Sequence, residues 1–593
     1  MDVRGRRLVA LVLVGIQTGL LAWGAFRQSP TYNEVSHLVA GISYWNFGRF
    51  DVYRVNPPLT RMVAALPVLA AHPRMDWTSF YESPGARPEY KMGTDFVAAN
   101  GERSFWLVTI ARWSCLPFAW LGAWICYSWA LELYGGPAGL LALALWCFCP
   151  NILAHAQLIT PDAGATACGV AASYFFWRWL KRPTWIRALI PGGLLGLAEL
   201  TKFTWLVFFA LWPAMWIGWR LADREFRGNV RTWCRQGSQL FLTLLLALYL
   251  LNLGYGFQRS FQRLGTFPFV SRTLAKTTTV DGRMTVQPGS NRFADNWLGR
   301  LPIPLPRDFV IGCDLQRKDL EHFPRPSYLH GQFRESGWWY YYLYAAAIKV
   351  PLGTWLLFLL GFVTSFLTQT GHGSWRDSMA VVAPLLTLIA LVSSQTGMST
   401  HFRYAIPALP FAFIWASRVA NVFQTVHFWV KALVTAALCW SIVSSLWIFP
   451  HTLSYFNEIV GGPNGGSAHL LDSNLDWGQD LIFLRDWLTA HPGARPLNLV
   501  YYGDFNPRDT GFGVFLPPLV DSDGKPTPVN SSPRQEWLAI SVNLSREAAA
   551  GSPDDIRPWN VWKAPEPRFW LTRSPDAQAG YSIHIYRLDA SPR

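Results

Sequence analysis

Roughly eleven apolar runs, most of them near the length a bilayer demands, divide this chain and restrict it to a membrane-spanning, mainly α architecture. They are Leu8–Phe26, Phe105–Leu133, Ala138–Phe148, Asp162–Leu180, Leu189–Glu199, Phe203–Trp219, Leu240–Tyr255, Trp338–Leu367, Met379–Ser394, Tyr404–Val419 and Phe428–Phe449. Half the residues are hydrophobic (51%) and only 15% are charged, and the 32 Trp and 21 Tyr suit rings that collect at bilayer interfaces. The first run follows Arg4, Arg6 and Arg7 and lacks a small-residue cleavage site before Arg27, so it reads as an uncleaved anchor.

The net charge of +14 does not point to nucleic acid, because the basic residues gather in short loops between apolar runs. With the N-terminus in the cytoplasm, the clusters at 178–187 and 220–235 both fall on the cytoplasmic side, as the positive-inside rule requires. The loops 27–104 and 256–337, the interruption at 150–162, Lys202, the turn 399–403 and everything after 450 then share the outer face of an inner (plasma) membrane. The awkward polar residues lie in those segments. The cysteines form no CxxC pair and mostly sit in apolar runs, so neither a disulfide framework nor a metal site is indicated.

The stretch Thr31–Pro67 carries the densest chemistry. Glu34, His37 and Gly41 fall on one face of a helix. Asn56-Pro57-Pro58 then breaks the chain and starts a second helix, since proline suits the first helical turn. Two short amphipathic helices lying at the membrane surface are expected. From about residue 453 the composition changes to short strand-like runs with an amphipathic helix near 480–490. The chain therefore divides into a transmembrane domain, 1–452, and a small extracytoplasmic α/β domain, 453–593. Asn530-Ser-Ser and Asn543-Leu-Ser match the glycosylation triplet, a pattern common by chance.

A carboxylate beside cations at one membrane depth suits sugar transfer from a lipid phosphate. Lys and Arg neutralise the leaving phosphate, while a base takes the proton of the attacking hydroxyl. No glycine-rich phosphate loop follows a strand, so a soluble nucleotide donor has no evident site.

Several motifs carry a resemblance. They are Tyr-Asn-Glu-Val-Ser-His at 32–37 with Asn-Pro-Pro-Leu at 56–59, Ala-His at 154–155 with Thr-Pro-Asp at 160–162, Thr-Lys-Phe-Thr at 201–204 and His-Phe-Arg-Tyr at 401–404. Together they resemble the GT-C membrane glycosyltransferases, which include protein O-mannosyltransferases and the lipid A aminoarabinose transferase. The 330–351 stretch and Asp-Ser-Asn-Leu-Asp-Trp-Gly-Gln-Asp at 472–480 look like a bacterial branch with an added C-terminal domain. The resemblance implies the GT-C fold, a polyprenyl-phosphate-linked sugar donor, an extracytoplasmic acceptor (protein, lipid or polysaccharide) and inversion at the anomeric carbon. No cofactor is expected, and the sequence does not indicate a divalent metal. The resemblance also implies an Asp-Glu pair in the first loop whose Asp is the base. Asn33 and Glu34 stand at those positions, and an amide is no base. Either Glu34 takes the role, or Asp162 supplies it, or catalysis is impaired; Glu34 with Asp162 assisting is favoured.

Lys202, Arg403 and Arg54 are the candidate partners of the donor phosphate, and His37, Asn56, Pro57 and His155 are candidates for binding substrate or shaping the loop. Each has a plainer alternative. Glu34 and Asp162 could cap helices, Lys202 and Arg403 could snorkel to headgroups, and the acids of 472–480 suit turns better than a metal. A non-catalytic sugar-lipid binding protein and a lipid-linked carrier or flippase remain the alternatives to an enzyme. Polar residues confined to one face count against transport.

Overall fold

The structure is a computed structural model and describes residues 2–222, 230–281, 283–321, 325–367, 374–421, 428–514, 537–549 and 573–587. Asn530 and residues 223–229 of the 220–235 basic loop lie outside these residues.

The opening helix α1 (Val3–Arg27) leads into a loop that holds α2 (Glu34–Phe47), α3 (Leu59–Ala70) and α4 (Glu89–Asn100). A bundle follows: α5 (Arg103–Ser114), α6 (Leu116–Tyr134), α7 (Gly136–Phe148), α8 (Pro150–Ala156), α9 (Pro161–Lys181), α10 (Trp185–Glu199), α11 (Phe208–Leu221) and α12 (Val230–Gly254). A second long loop carries the hairpin β1 (Thr277–Val280)–β2 (Arg283–Val286), the helix α13 (Arg307–Glu321) and the hairpin β3 (Ser327–Leu329)–β4 (Gln332–Arg334). Further helices at Tyr341–Lys349, Leu352–Leu367, Trp375–Ser393, Leu409–Ala416 and Phe428–Trp447 complete the bundle.

Among the described residues, four helices rather than eleven are long and apolar enough to cross a membrane: Val3–Arg27, Val230–Gly254, Trp375–Ser393 and Phe428–Trp447. Two bent pairs, Gly136–Phe148 with Pro150–Ala156 and Tyr341–Lys349 with Leu352–Thr364, raise the number to six. Three of the other expected runs depart from one long apolar helix for identifiable reasons. Phe105–Leu133 divides at Cys115, and Pro407 and Pro410 break Tyr404–Val419 into short turns and one eight-residue helix. The helix α9 has the length, but its Ala, Gly and Ser lower its hydropathy, and it is buried on almost every side by protein. The four long helices instead turn large apolar side chains outward, Leu11, Phe241, Leu386 and Trp429 among them, as a lipid-facing surface does. The chain is a membrane protein built on a helical bundle.

The expected first-loop helices form, but α2 does not lie open at a surface. Every residue from Glu34 to Tyr44 is buried, because α3 and α4 pack against it. Contact is close enough that a Cβ on Gly41 would stand 2.3 Å from the Arg61 carbonyl oxygen. Arg61 fastens the Asn-Pro-Pro turn by donating to the carbonyls of Tyr53, Asn56 and Pro57.

The C-terminal region forms a four-stranded sheet in the order β5 (Leu497–Val500), β6 (Trp537–Ser541), β8 (Ile583–Arg587), β7 (Ala577–Ala579). Its β5–β6 pair is parallel and the other pairs are antiparallel. The expected helix is present at Leu481–Ala490. Residues of this region and of the opening loop share one hydrophobic cluster, in which Val39, Phe96, Leu484, Leu499 and Ile585 are all buried.

Lys349 ties the bent pair to the 472–480 motif. Its buried ammonium donates to the carbonyls of Leu453 (2.9 Å) and Asn474 (2.5 Å) and lies over the Phe456 ring. Lys349→Met leaves both carbonyls unpaired, at about 1–3 kcal/mol each. The expected outcome is a lower unfolding midpoint of the detergent-solubilised protein, measured by intrinsic Trp fluorescence.

Candidate functional site

Segments far apart in the chain converge on one cavity of about 350 Å³. The opening loop supplies Tyr32, Asn33, Asn56 and Arg87, and α9 supplies Asp162. Lys202 comes from the break after α10, Lys318 and Asp319 from α13, His401 and Arg403 from the 399–403 turn, and Asp472 from the C-terminal motif. These are the segments that charge bias assigned to one membrane face.

Local sequence explains the placement. Pro161 occupies the first position of α9 and Asp162 its first turn, where the positive end of the helix favours a carboxylate. Lys202 is extended backbone between α10 and a 3₁₀ turn. Asn474 brackets the 399–403 turn from below: its Oδ1 accepts from the Phe402 N–H (2.9 Å) and its Nδ2 donates to the Thr400 carbonyl (2.8 Å).

Asp162 is the hub of the cations. Its Oδ1 accepts from Lys202 Nζ at 2.7 Å, and its Oδ2 lies 3.7 Å from Arg403 Nη1 without a hydrogen bond. Burial pulls the Lys202 ammonium below its ordinary pKa, against the opposing pull of Asp162. Burial also opposes the charge on Arg403, but Tyr404 and Asp162 hold its pKa above the usual value. The Arg403 guanidinium stacks over Trp477, 4.5 Å from the ring centroid, and its Nε has no partner. Unspent donors and an unspent carboxylate oxygen, all buried, mark a place prepared for a polar guest.

In the same turn as Arg403, His401 Nδ1 stands 2.9 Å from Ser473 Oγ and 3.3 Å from Asp472 Oδ1. Burial lowers the pKa of His401, with Arg403 adding to the effect and Asp472 opposing it. Burial would raise that of Asp472, but His401 and Arg325 beside it hold its carboxyl well below the usual range.

A second, apolar groove of about 290 Å³ adjoins the cavity. Phe203, Leu206, Leu320, Leu391 and Val392 line it, and Lys202, Gln316 and Tyr404 border both spaces.

Of the residues expected from sequence, Asp162, Lys202, Arg403 and Asn56 border the cavity. Glu34, expected as the base with Asp162 assisting, does not. Its Oε1 accepts from Arg112 Nε (2.9 Å) and the Ile159 N–H (3.1 Å), and its Oε2 from Arg112 Nη2, the Thr31 N–H and the Thr31 hydroxyl. Both are fully buried. A carboxylate so occupied binds the wall together. Its neighbour Asn33 faces the cavity instead.

Arg54 is likewise committed elsewhere, to Asp308 (2.7 Å) and Glu82 (3.2 Å). His37 stacks on Tyr53 with ring centroids 4.7 Å apart, and neither of its nitrogens has a partner; burial, reinforced by Arg61, lowers its pKa well below the ordinary value. Pro57 is buried in the turn that Arg61 holds, and His155 lies behind Trp477 with ring centroids 6.3 Å apart. Arg87, His401 and Asp472 were missing from the expected site; the last two lie in motifs that the sequence does display. Among the described residues no group of three or more His, Cys, Asp or Glu is placed to hold a metal.

No family model and no curated protein matches the chain. Among solved structures it is similar to ArnT from Cupriavidus metallidurans bound to undecaprenyl phosphate (TM-score 0.43, 11% identity, 98% of each chain covered). The same protein in the apo state gives a TM-score of 0.43 and 14% identity over 75% of this chain and 69% of that one. The oligosaccharyltransferase of Archaeoglobus fulgidus in complex with Zn and sulfate gives 0.44 and 11% over 91% of this chain and 69% of that one.

Breaking one partner of a buried ion pair costs about 3–5 kcal/mol, because the other charge is left uncompensated. Glu34→Gln is therefore expected to lower the thermal midpoint of the solubilised protein. Combining it with Arg112→Met, which also strands the carbonyls of Ala25, Gln28 and Ser29, is expected to cost less than the sum of the two single variants. A mere base would give neither result, and a double-mutant cycle of midpoints reads the difference.

Proposed function

We propose that the protein is a glycosyltransferase that takes a sugar from a polyprenyl-phosphate carrier and passes it, with inversion, to an acceptor on the outer face of the cell membrane. The observation that carries this reading is the continuity between two unlike spaces. A cation-bearing cavity and an apolar groove share Lys202, Gln316 and Tyr404 as their common border. A polyprenyl-phosphate sugar has the same division, a hydrocarbon tail joined to a polar head through a phosphate. The tail fits the groove, the phosphate meets Lys202 and Arg403, and the sugar occupies the cavity.

The chemistry follows from those positions. The acceptor oxygen bonds to the anomeric carbon as the carbon–oxygen bond to phosphate breaks, and the electron pair leaves on the phosphate. Lys202 and Arg403, both buried, neutralise that charge from preset positions at the cavity wall, where such neutralisation is worth more than in bulk water. Asp162 holds both cations in register before the donor arrives. The aromatic lining, Tyr53, Tyr404, Tyr502 and Trp477, offers flat apolar faces with polar edges to a sugar ring. No metal or other cofactor enters this scheme.

Lys202→Ala and Arg403→Ala are each expected to weaken binding of undecaprenyl phosphate to the purified protein about 10- to 100-fold, since a charge-assisted hydrogen bond contributes about 1.5–3 kcal/mol. Unchanged binding in both variants would overturn the phosphate placement. Cells lacking the protein are expected to accumulate a sugar-bearing polyprenyl phosphate and lose one glycan, read by mass spectrometry of lipid extracts. Wild-type protein that binds the lipid yet transfers nothing, and gains transfer on Asn33→Asp, would convert the reading to a sugar-lipid binding protein.

A further inference from the structure

The cavity poses a question of proton transfer. The attacking hydroxyl must lose its proton, yet the nearby carboxylates are badly placed to take it. Glu34 is outside the cavity and saturated by five donors. Asn33, which does border the cavity, carries an amide. Asp162 is held between Lys202 and Arg403, and a carboxylate flanked by two cations is a weak base.

We infer that His401, oriented by Asp472, accepts the proton of the attacking acceptor hydroxyl, an assignment that rests on the glycosyl-transfer reading above.

Three observations support it. His401 borders the cavity; its Nδ1 shares a hydrogen bond with Ser473 Oγ (2.9 Å) and lies 3.3 Å from Asp472 Oδ1, an ion-pair distance. Among the described residues Nε2 has no protein hydrogen bond, and with the proton on Nδ1, beside that hydroxyl and carboxylate, Nε2 is the lone-pair atom. Asp472 is itself fixed from every side. Its N–H donates to Asn543 Oδ1 (2.8 Å), its Oδ1 accepts from the Ser473 N–H (2.5 Å), and its Oδ2 accepts from the Tyr502 hydroxyl (3.2 Å). It also adopts φ +59°, a left-handed conformation that a non-glycine residue keeps only where its surroundings impose it. A carboxylate held at this cost behind an imidazole is the arrangement that orients a general base.

The charged groups acting on the His401 ring are Asp472 and Asp162, which favour its protonation, and Arg403, which disfavours it together with burial, and the titratable Tyr404 packs edge-on against it with ring centroids 5.4 Å apart. Burial and Arg403 together favour the neutral imidazole, the form able to take a proton. In the step itself, Nε2 receives the hydroxyl proton as the acceptor oxygen bonds to the anomeric carbon. The phosphate departs with the electron pair toward Lys202 and Arg403. Asp472 stabilises the resulting imidazolium, which then releases its proton to water.

The test uses full-length protein in native membrane vesicles, with transfer read by mass spectrometry as loss of sugar from polyprenyl phosphate. His401→Gln is expected to keep undecaprenyl phosphate binding within about threefold while losing transfer about 10²- to 10⁴-fold. In wild type, transfer should rise with pH through the imidazole titration and then level off. Asp472→Asn removes an anion that favours the imidazolium, so that rising limb should move to lower pH; a purely structural role for Asp472 would lower the rate and leave the limb in place. His401→Gln transferring within tenfold of wild type, or a limb unmoved by Asp472→Asn, overturns the assignment while the glycosyltransferase reading stands. Absence of transfer by wild type overturns both.

Discussion

A guanidinium buried in a membrane protein must find an acceptor for every N–H or be expelled, and Arg112 finds all five. Two are the Glu34 carboxylate oxygens, and the others are the carbonyls of Ala25, Gln28 and Ser29. Those carbonyls belong to the end of α1 and the residues after it, so one side chain fixes where the opening loop leaves the bundle. Glu34 extends the knot to the Ile159 N–H, three residues before Asp162. The wall of the cavity and its central carboxylate are thus referenced to the same buried pair, which contributes order as much as stability.

The other buried charges obey the same constraint with less complete satisfaction. Lys349 is taken up by carbonyls. Lys202 and Arg403 share Asp162 and retain spare donors. Unpartnered buried polar atoms also occur away from the cavity, at Glu199 and His37. What distinguishes the cavity is that a carboxylate and two cations with spare hydrogen-bonding capacity border one open space.

Much of this was legible in the sequence, and the losses have physical causes. Uninterrupted runs such as Val3–Arg27 and Phe428–Trp447 appear as long helices because nothing in them competes with the backbone ladder. Tyr404–Val419 has the right composition, but Pro407 and Pro410 keep it from being one helix. Asp162 and Lys202 stand out because charge is rare among apolar neighbours. Glu34 was given the wrong task because its partner lies 78 residues away, and spacing along a chain does not report which far segment will pack opposite. His401 and Asp472 were hidden for the same reason. Each sits in a visible motif, yet only the fold brings the two motifs together.

The C-terminal sheet and the opening loop bury a common core, and their backbones are stitched as well: Ser29 N–H donates to the Gln479 carbonyl and Tyr32 N–H to that of Trp477. The tail is therefore not an accessory that could be gained, lost or exchanged on its own. A chimera that borrows it from another protein is expected to need the opening loop along with it, because each end completes the apolar cluster and the backbone pairing of the other although the whole bundle lies between them in the chain.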